Sequence, residues 1–467
     1  MSESIHTEDM TQGFGSHFRG EILSPGHDGY EEARRVWNAS IDKRPTVIAR
    51  PADSSAVAAA VMFARERDLP IAVRCGGHSV AGKSACDDGL LIDLSLMKRV
   101  HVDPERKRAR ADAGVLWGEY DKETQPFGLA TPGGRVTTTG IGGFTLGGGY
   151  GWLSSKYGLA CDNLITAEVV TADGQLLSVG ENENEDLLWG LRGGGGNFGV
   201  VTSYEFRLHP VGPTIVGGML LHPLEQADEV LRQYRDFVDQ APDELATAIA
   251  FFPAPPESFV PTSLHGTTVL GIMACYCGDV DEGLRLLKSL KELGPPAVDL
   301  IGPMPYVDMQ ALLDPTAPPG WNWYNTGEHL DGLTDEAIGI LVGHAPQGLT
   351  SLTQAIVFRH GGAVSRVPEA DTAFSNRGQA YLLHPLAAWE EPSDEGRQLA
   401  WLRALVHDME PFKTGGVYLN FSPDGDERLV DGFGAAKHAR LVALKETYDP
   451  SNVFRFNHNI RPGSTPR

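Results

Sequence analysis

The stretch Arg74-Cys75-Gly76-Gly77-His78-Ser79-Val80-Ala81-Gly82 sets an imidazole in the middle of a glycine-rich loop. Glycines alone let backbone amides close around a phosphate, whereas a histidine adds a nucleophile that titrates near neutrality. Two further glycine concentrations follow: PGGRVTTTGIGGFTLGGGYG from Pro132 to Gly151, and GGGGNFGVVTSYEF from Gly193 to Phe206. Three kinds of chemistry compete for these loops. The run from Gly194 to Gly199 has the G-x-G-x-x-G spacing of a dinucleotide crossover, which requires strand, loop, then helix, so that the pyrophosphate meets a helix N-terminus. Here the helical segment EDLLWGLR comes first and the strand-like VVTSYEFRL last, so the order is reversed. A serine-hydrolase elbow needs G-x-S-x-G leading straight into a helix. Gly77-His78-Ser79-Val80-Ala81 has alanine where the second glycine belongs, and KSACDDGLLIDLS runs through a turn into a strand. The third reading has several glycine loops converging on one large polyphosphate cofactor. Main-chain N–H groups then cradle the phosphates without basic side chains, and the histidine faces the cofactor's reactive ring.

The elements that must position these loops are legible from periodicity. Residues 45–100 read as a β-α-β unit. PTVIARP is a strand, Asp53 or Ser54 caps a helix with Ala56, Val57, Ala60, Val61 and Ala64 on one face, LPIAVR is a second strand and GLLIDLS a third. KRVHVDPERKRARADAGV and LITAEVVTADGQLLSVG continue the strand pattern, the latter with an Asp173-Gly174 hairpin turn. After about residue 210 the glycine loops stop. Helical segments (EQADEVLRQYRDFVDQ, DEGLRLLKSLKELG) then mix with strands such as TTVLGIMACYC. Near residue 415 the texture changes again to GGVYLNFSPDG, a helix GAAKHARLVALKETY and the tail DPSNVFRFNHNIRP. The expected segments are 1–210, 211–414 and 415–467, in an α+β fold.

Composition narrows the partners. A chain of 467 residues is too long for one ordinary core. Its formal charge of −22 leaves no cationic surface for nucleic acid or anionic lipid. No apolar run approaches the length of a membrane span, and MSESIHTEDMTQGF lacks the basic and apolar regions of a secretory signal, so a cytoplasmic location is expected. The five cysteines (75, 86, 161, 275 and 277) form neither a disulfide framework nor a zinc spacing, so free thiols and no metal site are expected.

Taken together, RCGGHSVAG, GIGGFTLGGGYGWLSSKYGLACDNL, GGGGNFGVVT, YLNF and YDPSNVFRFNHNI resemble, in order and spacing, the berberine-bridge-enzyme-like branch of the vanillyl-alcohol oxidase / p-cresol methylhydroxylase (PCMH-type) superfamily of FAD enzymes. Within it the motifs are most similar to those of bacterial oxidases of secondary metabolism. The resemblance implies a PCMH-type FAD-binding domain of two α/β subdomains, to which the tail returns, and a substrate domain with an antiparallel sheet covered by helices. It implies covalent FAD, bonded through its 8α-methyl carbon to His78. Many branch members add a cysteinyl link at the position that is Val136 here, so a single bond is expected, with Cys75 and Cys161 unlinked.

By the same resemblance Arg74, Cys75, Gly76, Gly77, Ser79, Gly82, Gly133, Thr138, Gly140, Gly142, Gly143, Gly148, Tyr150, Gly151, Asn197, Gly199, Val200, Asn457 and Asn459 contact the cofactor. His458 stands between the two asparagines where relatives usually carry glutamine. Tyr418 is the implied base and Asn420 its neighbour at the flavin edge or substrate. Moving a tyrosine from a pKa of about 10 to about 7 takes roughly 4 kcal/mol, which a cation such as Arg359 or Lys413 would have to supply. Thr139 falls where the family controls oxygen access. The segments Trp321–Asn325 and Phe358–His360, with Trp323, Tyr324 and Arg359, are candidates for the substrate pocket, and SLTQAIVFRH brings no carboxylate to it. The expected activity is hydride transfer from a small alcohol, amine, sugar or polyketide-type metabolite, with O2 reduced to H2O2; the alternative is an oxygenase working through a flavin N5-oxide. A monomer or homodimer is expected.

Overall fold

The structure, a computed structural model, describes residue 14 and residues 18–423 and 427–463. The N-terminal stretch read above for targeting therefore lies, apart from Phe14, outside the described residues.

The expected β-α-β unit forms a four-stranded sheet from β1 (Gly20–Leu23), β2 (Val47–Pro51), β3 (Ile71–Arg74) and β4 (Leu90–Asp93). β2 and β3 both run parallel to β4, and β1 lies antiparallel on the β2 edge. Parallel strands are covered on both faces, which is why they read as unbroken apolar runs. Asp53 caps α1 (Ser54–Glu66) by accepting from the Ala56 N–H, and the alanine-valine face of that helix is buried. The loop carrying His78 leaves the C-terminal end of β3.

A second sheet of five antiparallel strands follows: β5 (Val100–Asp103), β6 (Arg108–Asp112), β7 (Leu164–Val170), β8 (Leu176–Val179) and β9 (Val200–Arg207). The Asp173-Gly174 turn joins β7 to β8, with Gly174 at φ 78°, where a Cβ is disfavoured. The helix α2 (Glu185–Leu191) precedes the third glycine loop and β9 follows it, so the reversed order read from the sequence holds.

The third sheet has ten strands and spans residues 214–417. The strands that matter for the site are β10 (Leu245–Pro253), β11 (Asn322–Asn325), β12 (Glu328–Leu330), β13 (Gln354–Arg359), β14 (Tyr381–Trp389) and β15 (Lys413–Val417). β15 pairs with β12, so the segment border expected at residue 414 falls inside a strand. The strand period of two sorts the side chains. On β10, Leu245, Ile249 and Phe251 pack against four helices: α3 (Ala227–Val238), α4 (Val280–Lys291), α5 (Asp335–Gly343) and α6 (Glu395–Asp408). Ala246, Ala248 and Ala250 face Tyr150, Trp152, Leu153 and Leu159 from the central glycine segment. Small residues on that face leave the loop room to approach. Among the described residues no helix is long and apolar enough to cross a membrane.

The C-terminal tail is fastened by one buried cation. Lys445 on α7 (Ala435–Tyr448) is fully buried; it donates to the Asn197 carbonyl at 2.7 Å, the Phe454 carbonyl at 2.9 Å and Asp449 Oδ2 at 2.7 Å. Asp449 in turn accepts from the Val453 and Phe454 N–H groups. The third glycine loop, the helix and the tail are thus held by one ammonium group. Removing one partner of such a pair leaves an uncompensated buried charge and costs about 3–5 kcal/mol. Lys445→Met, which strands Asp449, is expected to lower the thermal unfolding midpoint by several degrees. An unchanged midpoint would show that this tie is dispensable.

Candidate active site

A cavity of about 380 Å³ opens where the three glycine segments, one face of the ten-stranded sheet and the tail meet. Of the residues expected to contact a cofactor, Cys75, Gly76, Gly77, Ser79, Gly140, Gly142, Gly143, Tyr150, Gly199, Val200 and Asn457 form its wall, together with His78, Thr139, Tyr418 and Asn420. Backbone geometry explains the glycines. A Cβ on Gly76 would overlap the Gly140 nitrogen, and one on Gly140 would overlap the Gly76 nitrogen and Cys75 Sγ, so the first two loops touch main chain to main chain. At Gly143 and Gly196 an added Cβ would meet no protein atom within 4 Å. Because both line the cavity, it would point into the void, so they form an open cradle.

His78 lies on the rim of this cradle. Its Nε2 is 2.9 Å from Thr138 Oγ1, and its ring stacks on Trp37 at 5.1 Å and 16°. Trp37 stacks in turn on Trp323 at 4.6 Å. Burial pushes the His78 pKa down to about 4, so the imidazole is neutral and nucleophilic at physiological pH. Val136 is in the wall, where it offers no thiol. Cys75 donates to the Ala113 carbonyl, and burial pushes its thiol up to about 11; Cys161 is buried and shifted the same way. Neither is a thiolate.

Several expected contacts lie behind the wall. Arg74 turns away to Asp93 (2.7 Å) and the Arg35 carbonyl, because its strand is paired beside Asp93. Gly82 packs on Ile41, Gly133 on Trp117, Gly148 on Phe374 and Gly151 on the Gly133 carbonyl. Thr138 acts through His78. Asn197 donates to the Gly194 and His458 carbonyls and accepts from the Ile460 N–H, so it shapes the third loop and the tail. Asn459 is outside the wall. These residues support the cradle without lining it.

Of the two segments expected to line a substrate pocket, Asn325 and Phe358 line the cavity while Trp323, Tyr324 and Arg359 do not, and the reason is strand parity. On β13, Gln354, Ile356 and Phe358 face the cavity; Ala355 and Val357 face the helices, and so does Arg359, beside Tyr381. The pocket side chain is Phe358, one residue from the expected cation. On β11, Trp323 packs behind Trp37, and Tyr324 joins Trp389, Leu399 and Trp401 under α6.

Tyr418 is in the wall. Its hydroxyl accepts from the Gly149 N–H at 3.2 Å and from Asn420 Nδ2 at 3.0 Å. Burial nevertheless outweighs those bonds and pushes its pKa up to about 12, so it keeps its proton. Neither cation considered for it arrives: Arg359 faces the helices, and Lys413 pairs with Glu410 (2.5 Å) and Glu328 (3.6 Å).

Two residues that sequence reasoning passed over complete the site. His384, on β14, stacks on Phe421 at 3.7 Å and lines the cavity. Its Nδ1 is 2.8 Å from the Thr326 carbonyl, which can only accept, so Nδ1 carries the proton and Nε2 is a lone pair. No hydrogen bond to Nε2 is present among the described residues, the residue lines the cavity, and burial lowers the pKa to about 3. Arg135 donates weakly to the Tyr150 and Gly151 carbonyls, both at 3.3 Å, and lies over the rings of Phe358 (4.1 Å), Tyr150 and Trp152 (4.8 Å each). The lone histidine in the apolar strand YLLHPLAAW and the lone cation in PGGRV were the available signals.

Comparison with known proteins agrees with this geometry. The FAD binding domain family matches residues 45–180, and the berberine and berberine like family matches residues 417–461. An FAD-linked oxidoreductase of Dictyostelium discoideum is 33% identical over 451 residues, covering 95% of each chain. The (R)-6-hydroxynicotine oxidase of Paenarthrobacter nicotinovorans is 29% identical, over 95% of this chain and 97% of its own. The crystal structure of 6-hydroxy-D-nicotine oxidase from Arthrobacter nicotinovorans matches with a TM-score of 0.86 at 27% identity, covering 96% of this chain and 98% of that one. The chain belongs to the berberine-bridge-like family of FAD-linked oxidoreductases. Its cavity fits that cofactor: the glycine cradle is open, and Ser84 Oγ and Asn457 Oδ1 are buried cavity-wall atoms without a protein partner.

The two kinds of glycine separate in a test. Gly140→Ala forces a methyl group into Gly76 main chain, so reduced folding and FAD loading are expected, with overpacking costing about 1–3 kcal/mol or more. Gly143→Ala meets no protein atom, so stability of the FAD-free protein close to wild type with weaker FAD loading is expected. Equal FAD content in all three purified proteins would contradict the cradle.

Proposed function

We propose that this oxidoreductase is an oxidase. It takes a hydride from a carbon bearing O–H or N–H in a small organic substrate, holds FAD through one covalent bond at His78, and uses O2 as the terminal acceptor. The carrying observation is that one cavity is lined by the neutral imidazole of His78 and by a second neutral histidine, His384, whose Nδ1 is taken by the Thr326 carbonyl so that Nε2 is left as the basic nitrogen. The chemistry FAD supplies when bound is acceptance of the hydride and delivery of both electrons to O2, giving H2O2.

The chain's own residues do the rest. His384 Nε2 receives the proton from the substrate O–H or N–H while the Thr326 carbonyl holds the other nitrogen protonated, which fixes the tautomer. Tyr418 is a hydrogen-bond donor to the bound pair, because its oxygen already accepts twice and its proton is retained. This reading replaces Tyr418 as the base. Asn420 fixes the phenol, since Nδ2 also donates to the Phe144 carbonyl. Phe358, Phe421 and Leu386 keep water off the reacting carbon. Thr139, a small residue in the wall, leaves space for O2. Thr138 orients the His78 ring through Nε2, leaving Nδ1 for the carbon bond.

The tether is tested on a denaturing gel. The wild-type band is expected to fluoresce with bound flavin, and His78→Ala is expected to give a dark one; fluorescence persisting in the variant would put the link elsewhere.

The base is tested by stopped-flow flavin reduction. His384→Ala is expected to slow reduction by about 10²–10⁴-fold with little change in substrate affinity. Because burial lowers this histidine to about 3, the base form is present throughout pH 5–8 and is lost only as the pH falls toward that value. The reduction rate should therefore be flat near pH 6.5. An inflection there that disappears in the variant would show an ordinary, solvated imidazole and defeat this assignment.

A further inference from the structure

Arg135 is 7% exposed and lines the cavity, yet it has no carboxylate partner among the described residues. A guanidinium offers five N–H donors. Arg135 bonds only two main-chain carbonyls, both at 3.3 Å, and its Nε is buried without an acceptor. The titratable groups that act on it most are phenols and a thiol, Tyr150, Tyr418, Tyr306 and Cys275, and it also interacts with the imidazoles of His384 and His360; burial keeps all of them neutral. The π-faces of three rings offset part of the charge but supply no counter-ion. A buried charge without a counter-ion is costly, and the missing partner points to a ligand.

The rest of the wall indicates what that ligand is. Among the described residues no aspartate or glutamate lines the cavity, so a protonated amine finds no counter-ion there and meets a fixed positive charge. Tyr150, Ile356, Phe358, Leu386 and Phe421 give flat apolar surfaces that suit an aromatic ring and offer a sugar few hydrogen bonds. Arg135 also acts electrostatically on His384, so the cation and the proton acceptor share one chamber.

We infer that Arg135 binds an anionic oxygen of the substrate, a carboxylate or an ionised phenol or enol on an aromatic frame. The active site is then selective for acidic aromatic substrates and against amines. The planar guanidinium matches two carboxylate oxygens at once, or one phenolate oxygen flanked by its ring. This rests on the oxidase reading for what happens after binding, but recognition can be measured without turnover.

The test uses the purified flavoprotein and follows perturbation of its flavin absorbance on titration. The probes are benzoate, 4-cyanophenol above its pKa, benzamide and benzylamine. At least one anion is expected to bind tenfold or more tightly than benzamide and benzylamine, and which one does so separates carboxylate from phenolate. Arg135→Met is expected to weaken that anion tenfold or more while leaving benzamide unchanged, and Arg135→Lys to recover part of the loss. If benzamide or benzylamine binds as well as the tighter of the two anions, or Arg135→Met leaves that anion's affinity unchanged, the inference fails. That failure, with neutral alcohols still reducing the flavin, leaves the oxidase reading intact. Anion binding through Arg135 with no substrate able to reduce the flavin would sustain this inference and overturn that reading.

Discussion

The contact between the main chains at Gly76 and Gly140 governs the architecture of the site. One loop leaves a parallel strand of the first sheet, and the other leads into the segment facing the ten-stranded sheet. Only because neither residue has a side chain do these backbones touch. That approach brings Thr138 to the His78 ring, puts Cys75 beneath the central loop and leaves Gly143 open to the cavity. A wider separation would still leave a histidine in a glycine loop, but the imidazole would lose both its orienting hydroxyl and its dry surroundings. The chemistry proposed for His78 therefore depends on a steric property of two glycines that carry no chemistry themselves.

Desolvation then sets the charge states. The chain is strongly acidic overall, yet among the described residues no carboxylate lines the cavity. The groups that do reach it are held in their neutral forms: His78 and His384 lose their protons more readily than in water, and Tyr418 holds its own more tightly. Two hydrogen bonds to the Tyr418 oxygen favour the phenolate, but they do not replace the solvation lost by burial. A histidine suffers no such conflict, because removing it from water favours the base form. The same burial that opposes ionisation of the tyrosine favours the base form of the histidine. Arg135 is the exception that retains its charge, since a guanidinium stays protonated even when burial lowers it to about 10.

Local sequence carried much of the fold and part of the site. The β-α-β unit, the Asp173-Gly174 hairpin, the capped α1 and the amphipathic helices over the third sheet all follow from short-range periodicity, and all are present. The glycine loops were legible because a glycine run has few other uses. What short-range reading misjudged was direction. Whether Phe358 or Arg359 meets the cavity depends on which face of a ten-stranded sheet is covered by helices, a fact fixed by partners as distant in the chain as Ala248 and Phe358. His384 was passed over for the same reason: nothing local distinguishes a histidine on the covered face from one on the open face. Arg135 was hidden inside a loop read for its glycines. Arg74, Gly148 and Asn197 belong to the right motifs but brace the wall from behind, which motif membership does not distinguish from lining it.

The covalent bond proposed at His78 would also answer a retention problem set by the wall itself. FAD carries a diphosphate, and among the described residues only Lys83 and Arg135 bring positive charge to the cavity wall. Backbone amides in the glycine loops provide dipoles in place of charges, and the buried oxygens of Ser84 and Asn457 add polar contacts. Dipoles hold an anion less strongly than cations do, but they do not compete for an acidic substrate. Adding lysines around the diphosphate would improve retention and at the same time give an anionic substrate places to bind unproductively. A tether holds the cofactor without that positive charge. It would leave Arg135 as the one buried guanidinium lining the chamber among the described residues and would let the site direct the proposed anionic group to a single place in the chamber that His384 also lines.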